Sequence, residues 1–125
     1  MIQGVIPLLR VSNAAVAQAF YCHGLGFQLE FVQRADINNE DPCYMGVSRN
    51  GVWVHLSSYP SDGTRGSVVN VIVDNVDELH AEFAKRKVPI DTPPVDQNWG
   101  SREMYVKDTD KNCLRFIQPA VKEEE

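Results

Sequence analysis

The sequence predicts an α+β domain built from two βαβββ units, and three observations carry that prediction. The order strand, helix, strands occurs twice along the chain. An offset of about 62 residues lays Leu9-Arg10-Val11-Ser12-Asn13 on Val71-Ile72-Val73-Asp74-Asn75, so each unit opens with a strand running straight into a capped helix. A Ser-, Gly- and Pro-rich stretch, Ser58 to Gly66, separates the two. Residue identity across the offset is low, so what repeats is the pattern. Neither half can bury one face of its sheet alone, whereas together they can. Residues 1–125 are therefore read as a single domain of two half-modules, about 1–57 and 67–120, with 58–66 as the linker.

Each element has a local reason. Val5 to Val11 is apolar and extended, and Ser12-Asn13 offers cap chemistry for a helix to about His23. Val16, Ala19 and Phe20 recur at helical spacing, and Gly24-Leu25-Gly26 ends the helix. Phe27 to Val32 alternates as a strand does, and the polar run Asp36 to Pro42 reads as a loop. Tyr44 to Ser48 and Val52 to Ser57 flank Arg49-Asn50-Gly51, where Asn-Gly signals a tight hairpin. In the second unit Val68 to Val73 is a strand, and Asn75, three residues before Glu78, is close to a capping box. Val76, Leu79 and Phe83 form the apolar stripe of that helix, and Lys85-Arg86-Lys87 suits its C-terminal dipole. Pro89 to Gly100 reads as a long loop. Glu103 to Lys107 and Cys113 to Gln118 form a closing hairpin around Asp108-Thr109-Asp110-Lys111-Asn112.

Composition sets outer limits. The 125 residues (14.1 kDa) suffice for one domain, and 43% hydrophobic with 23% charged residues is ordinary for a globular protein. No apolar run is long enough to cross a bilayer, and Met1-Ile2-Gln3-Gly4 lacks the features of a secretory leader, so a cytoplasmic protein without membrane partners is expected. The net charge of -5, of which Lys122-Glu123-Glu124-Glu125 supplies -2, argues against nucleic acid and biases the chain toward cationic ligands. Cys22, Cys43 and Cys113 are odd in number and widely spaced, which fits free thiols in a reducing compartment.

Particular segments resemble a known family. Ile6-Pro7-Leu8-Leu9-Arg10-Val11, Phe20-Tyr21 and Leu25-Gly26-Phe27 are similar to the first strand and helix of the vicinal-oxygen-chelate fold, shared by glyoxalase I, extradiol dioxygenases and bleomycin resistance proteins. Val76-Asp77-Glu78-Leu79-His80-Ala81-Glu82-Phe83 resembles its second helix. Gln97-Asn98-Trp99-Gly100-Ser101-Arg102-Glu103, followed by Asp108, Asn112-Cys113 and Arg115-Phe116, resembles the bleomycin resistance branch. The likeness spans about Val5 to Gln118. Where the family turn reads Asp-Pro-Asp-Gly-Asn, this chain has Thr109 and Lys111. Lys111 in the glycine place implies either a turn with no required positive φ or one under local strain.

The resemblance implies a cupped mixed sheet. In metal-dependent members, each of four strands presents a His or Glu ligand to the cup. The matching positions here hold Ile6, His55, Val68 and Arg115, and only His55 among them can coordinate a metal. No metal, no cofactor and no catalytic residue is therefore expected, and His23 and His80 read as surface or capping residues. The chain also lacks G-x-S-x-G, P-loop, G-x-G-x-x-G and H-E-x-x-H motifs.

Without a metal the cup becomes a binding groove. Alternation puts Trp53, His55 and Ser57 on one strand face, with Val52, Val54 and Leu56 on the other. Val68, Asn70 and Ile72 share the cup side of their strand, as do Cys113, Arg115 and Ile117. The ligand-binding candidates are Tyr44, Trp53, His55, Ser57, Asn70, Trp99, Gly100 and Arg115. Trp99 either stacks on a planar or cationic ligand, closes the end of the barrel or packs at a dimer contact. The resemblance implies bleomycin- or phleomycin-type antibiotics as ligand, held stoichiometrically and without turnover, with Glu30, Asp36, Glu40 and Asp41 as candidates for meeting a cationic tail. It also implies a homodimer with grooves shared between chains and a first strand that is often exchanged, with Pro7 at the hinge. Two alternatives stay open: a glyoxalase-like or dioxygenase-like enzyme of the same fold, and a binder of another aromatic or cationic metabolite.

Overall fold

Backbone pairing builds two four-stranded sheets on one plan. In the computed structural model, which describes residues 1–121, the first sheet contains β1 (Leu8–Arg10), β2 (Gln28–Arg34), β3 (Cys43–Arg49) and β4 (Val52–Ser57), in the order β1-β4-β3-β2. The second contains β5 (Val68–Ile72), β6 (Thr92–Asp96), β7 (Arg102–Lys107) and β8 (Cys113–Gln118), in the order β5-β8-β7-β6. In each sheet the first strand runs parallel to the last and the other pairs are antiparallel. The two βαβββ units expected from the sequence are present. The acidic tail at 122–125 lies outside the described residues.

The helices start as their caps dictate. Asn13 and Asn75 share an extended φ of -145°, and each side-chain oxygen accepts a 3.0 Å hydrogen bond from the amide three residues on, Val16 and Glu78. Beyond that the helices differ. α2 (Val76–Lys85) is regular, whereas α1 (Ala14–Gln18) widens into a π-helical turn, Ala19–Gly24, in which the Leu25 amide donates to the Phe20 carbonyl. The Asn50-Gly51 turn carries φ of 52° and 77°, the paired positive values of a type I′ hairpin.

Two expectations need correction. The region 89–100 is not loop throughout, because β6 occupies its middle and pairs with β7 alone. Pro93 and Pro94 hid it: they lack N–H donors, a deficit that an edge strand tolerates. The first strand is also shorter than Val5 to Val11, and residues 1–7 extend without regular structure up to Pro7, whose carbonyl accepts from the His55 amide at 2.9 Å.

Both sheets lay one face on a single core. Leu9, Met45, Val47, Val54 and Leu56 come from the first sheet, and Met104, Val106, Leu114 and Phe116 from the second, around Ala17, Tyr21, Val76 and Phe83. It follows that in one chain the cup is divided into two separate sheets, and the remaining face of each points away from the common core.

The turn between β7 and β8 clasps the halves together. The Asp110 carboxylate accepts from the Ser12 amide at 3.1 Å. The Asn112 side chain, fully buried, donates to the Arg10 carbonyl at 2.9 Å and accepts from the Gly66 and Ser67 amides at 3.0 Å. Asp108 accepts from the buried Tyr21 hydroxyl at 2.8 Å, and burial, then the Asp108 charge, pushes that phenol well above its ordinary pKa. Lys111 sits in this turn at φ 64°, so the second option holds: a side chain occupies a left-handed position that glycine would take without strain. Across the other joint, Arg49 holds Glu82 bidentately at 2.7 Å and keeps its carboxyl below the usual range, chiefly through that hydrogen bond.

Candidate functional site

On the first sheet, side chains of the outward face form cross-strand rows. One row runs Leu8, His55, Gly46, Phe31. Gly46 is required there, because the Phe31 ring lies where its Cβ would be. The next row places Tyr44 beside Ser57 and Arg10, and the one before places Trp53 beside Ser48. The rings meet: Phe31 and Tyr44 stack with centroids 6.1 Å apart, and the His55 ring stands edge-on to Phe31, Tyr44 and Trp53 at 5.4, 5.2 and 6.3 Å. The Tyr44 hydroxyl and His55 Nδ1 share a 2.7 Å hydrogen bond. Burial, then the Asp62 charge, raises the Tyr44 phenol. All four rings are partly exposed and offer a half-open aromatic floor.

Ser57 departs from its expected place in the lining. It is fully buried, and its hydroxyl donates to Asp62 at 2.6 Å and accepts from the Tyr59 amide, so it shapes the turn after β4. The acidic candidates also divide. Asp41 accepts from the Ala14 amide at the start of α1, and Asp36 holds Asn38 and Asn39 within its own loop. Glu30 on β2 accepts from Ser48 on β3 in an exposed bond, and Glu40 is exposed.

The second sheet presents a different outward face. Its rows run Asn70, Arg115, Tyr105, Thr92 and then Ile72, Ile117, Glu103. The Arg115 guanidinium carbon lies 5.0 Å above the Tyr105 ring. Glu103, only 4% exposed, accepts from the Ser101 hydroxyl at 2.6 Å, the Tyr105 hydroxyl at 2.8 Å and the Trp99 indole N–H at 3.1 Å. These bonds, Ser101 foremost, hold its carboxyl below the usual range. Trp99 remains 66% exposed while tethered through its indole, and Gly100 beside it takes φ 105° so that the loop can reverse.

The structure thus collects Tyr44, Trp53 and His55 on one face and Asn70, Trp99, Gly100 and Arg115 on or beside another. It adds Phe31, Tyr105, Glu103 and Ser101, none of which the sequence singled out as lining. Pro7 stands at the end of the unstructured N-terminal segment, where Val5 and Ile6 are exposed. A cavity of about 660 Å³ lies elsewhere, between the Asn50 turn and the start of α2, with Leu25, Phe83, Phe116 and Glu78 in its walls. Among the described residues no cluster of three or more His, Cys, Asp and Glu side chains could hold a metal ion, and no helix is long and apolar enough to cross a membrane.

Comparison with known proteins places this architecture. A family model described as "Glyoxalase superfamily protein" matches residues 1–123. The bleomycin-binding protein from bleomycin-producing Streptomyces verticillus, complexed with copper(II)-bleomycin, superposes with a TM-score of 0.73 at 25% identity, covering 98% of each chain. A glyoxalase/bleomycin resistance protein/dioxygenase superfamily member from Sphaerobacter thermophilus gives 0.72 at 24% identity, covering 94% of this chain and 99% of its own. An antibiotic-binding protein from Streptomyces sp. CB03234 gives 0.73 at 21% identity, covering 96% and 99%. No curated protein sequence matches the chain. The chain belongs to the glyoxalase superfamily.

Proposed function

We propose that this member of the glyoxalase superfamily binds and sequesters a planar antibiotic of the bleomycin type, without turnover. The groove is shared: the aromatic face of the first sheet in one copy meets the Trp99–Arg115 face of the second sheet in another. The observation that carries this reading is the outward direction of both faces from a common core, with Leu8, Val68 and Ile72 exposed at 40%, 53% and 65% beside them. A single chain leaves those apolar side chains in water, and a second copy covers them and closes a groove lined by rings on one side and a cation on the other. The exposure of Val5 and Ile6 before Pro7 supports a first segment that crosses to the partner. The metal-ligand positions of the fold hold Ile6, His55, Val68 and Arg115, which supports binding rather than metal chemistry. Three free cysteines suit a reducing cytoplasm.

Titration with bleomycin, followed by tryptophan fluorescence, tests the reading. Saturable binding is expected, and Trp99→Ala should weaken it by at least ~1 kcal/mol, as for an aromatic anchor. No saturation up to about 100 μM, a limit of about -5.5 kcal/mol, overturns it. Light scattering that shows only monomer at micromolar concentration overturns the shared groove.

A further inference from the structure

Among the described residues Arg115 is a cation with no direct salt bridge, although its charge reaches Glu103. Arg49, Arg65, Arg86 and Arg102 each hold a carboxylate, whereas Arg115 forms no ion pair and donates to no oxygen among the described residues. Its Nε is sealed from solvent and has no acceptor among the described residues. The Tyr105 ring fixes one side of the guanidinium, and the Cys113 thiol is close enough to feel its charge and to engage one of its donors weakly. The neighbouring carboxylate, Glu103, is engaged by three other donors. Asn70, the cross-strand neighbour of Arg115, is exposed, and its side-chain amide has no hydrogen bond among the described residues. Glu103 meanwhile holds the exposed Trp99 by its indole N–H. A held guanidinium with spare donors, an amide beside it and a tethered indole nearby make a site short of one thing, an acceptor oxygen on a flat ligand.

We propose that the outer face of the second sheet recognises a carboxylate or carboxamide oxygen attached to a planar ring. Arg115 donates to the oxygen, Asn70 lies beside it and Trp99 covers the ring. The inference rests on the sequestration reading and narrows its ligand: the ring enters with its acceptor toward the second sheet, and any cationic part lies toward the first.

Protein-observed NMR with 2-naphthoate, 2-naphthamide and 2-naphthylmethylammonium tests this, with bleomycin titrated as a separate arm. The carboxylate and carboxamide should bind at least about tenfold more tightly than the ammonium, and Arg115→Gln should shrink that preference to about threefold or less. In the unsubstituted chain, the Arg115 Nε–H resonance should shift with the first two probes only, a readout that needs no variant. An ammonium that binds as tightly, a preference that survives Arg115→Gln, or no binding of any probe up to about 1 mM overturns the inference. If bleomycin binds while the naphthyl preference is absent, the acceptor site alone falls. If the preference stands while bleomycin does not bind, the antibiotic reading alone falls.

Discussion

The two halves share a frame and differ on the surface that frame presents. His55 and Arg115 occupy the same place in their sheets, each between a strand parallel to its own and a strand antiparallel to it. Around them, Leu8 answers to Asn70, Gly46 to Tyr105 and Phe31 to Thr92. In the first half a glycine clears the floor so that a ring from the edge strand can lie across it. In the second a central-strand ring rises under a guanidinium. Core-facing positions are apolar in both halves, because both faces feed one core. The pattern repeat is therefore a constraint on burial. The outward rows are free of that constraint, and there the halves have taken up different chemistry: rings and a histidine on one, an arginine and a buried carboxylate on the other.

The sharpest way to break the comparison is at the turn that only the second half uses as a clasp. Asn112→Ala leaves the Gly66 and Ser67 amides and the Arg10 carbonyl without partners and should cost about 3 kcal/mol in urea denaturation. The matching change in the first-half turn, Asn50→Ala, is exposed and should cost about 1 kcal/mol. Equal losses would mean that the clasp carries no special load.

Gly46→Ala attacks the feature particular to the first sheet. The new methyl displaces the Phe31 ring, and a loss of about 2 kcal/mol is expected. In a Phe31→Ala background the same change should be nearly silent, and a double-mutant cycle measures the coupling. The second sheet contributes its own part of the acid response. Glu103 is held below its ordinary value of 4.5, so its contribution is present above that pH and is lost as pH falls through the folded value. Glu103→Gln should flatten the stability profile below pH 4.5, where the unsubstituted chain loses up to about 1.4 kcal/mol per pH unit from this group. A parallel pair of profiles would discard that role. The smallest effect is at Lys111: Lys111→Gly relieves its left-handed backbone and should add about 1 kcal/mol or less, read as a rise in melting temperature.

What was legible in the sequence was local chemistry. The Asn13 and Asn75 caps and the Asn50-Gly51 hairpin act within a few residues, and the structure forms each of them. Alternation also placed Trp53 and His55 on the outward face. For Phe31 alternation gives no face, because a bulge between Leu29 and Phe31 reverses the phase of β2: Leu29 pairs with core-facing Val47, and Phe31 with outward Gly46. β6 was missed because its partner, not its own pattern, makes it a strand. The π-helical turn has no residue signature at all. Ser57 obeyed alternation and still left the lining, since Asp62, five residues on, captured its hydroxyl. Trp99 was singled out by its polar, glycine-bounded setting, but the carboxylate that holds it became visible only when the loop and β7 were brought together.

The connection between the halves has a consequence at the level of genes. From Ser58 to Ser67 the chain forms no helix or strand, its glycines at 63 and 66 take positive φ, and most of it is exposed. The other links between the halves are noncovalent, among them one core, the Asn112 and Asp110 clasp, the Tyr21–Asp108 hydrogen bond and the Arg49–Glu82 bridge. The linker acts as a tether whose entropic contribution changes only slowly with its length. A reading frame split between Gly63 and Thr64 would remove that tether and no packed contact. The two products should find each other when made in one cell, so fission and fusion at this point alter dosage and order of synthesis while the fold they encode is kept.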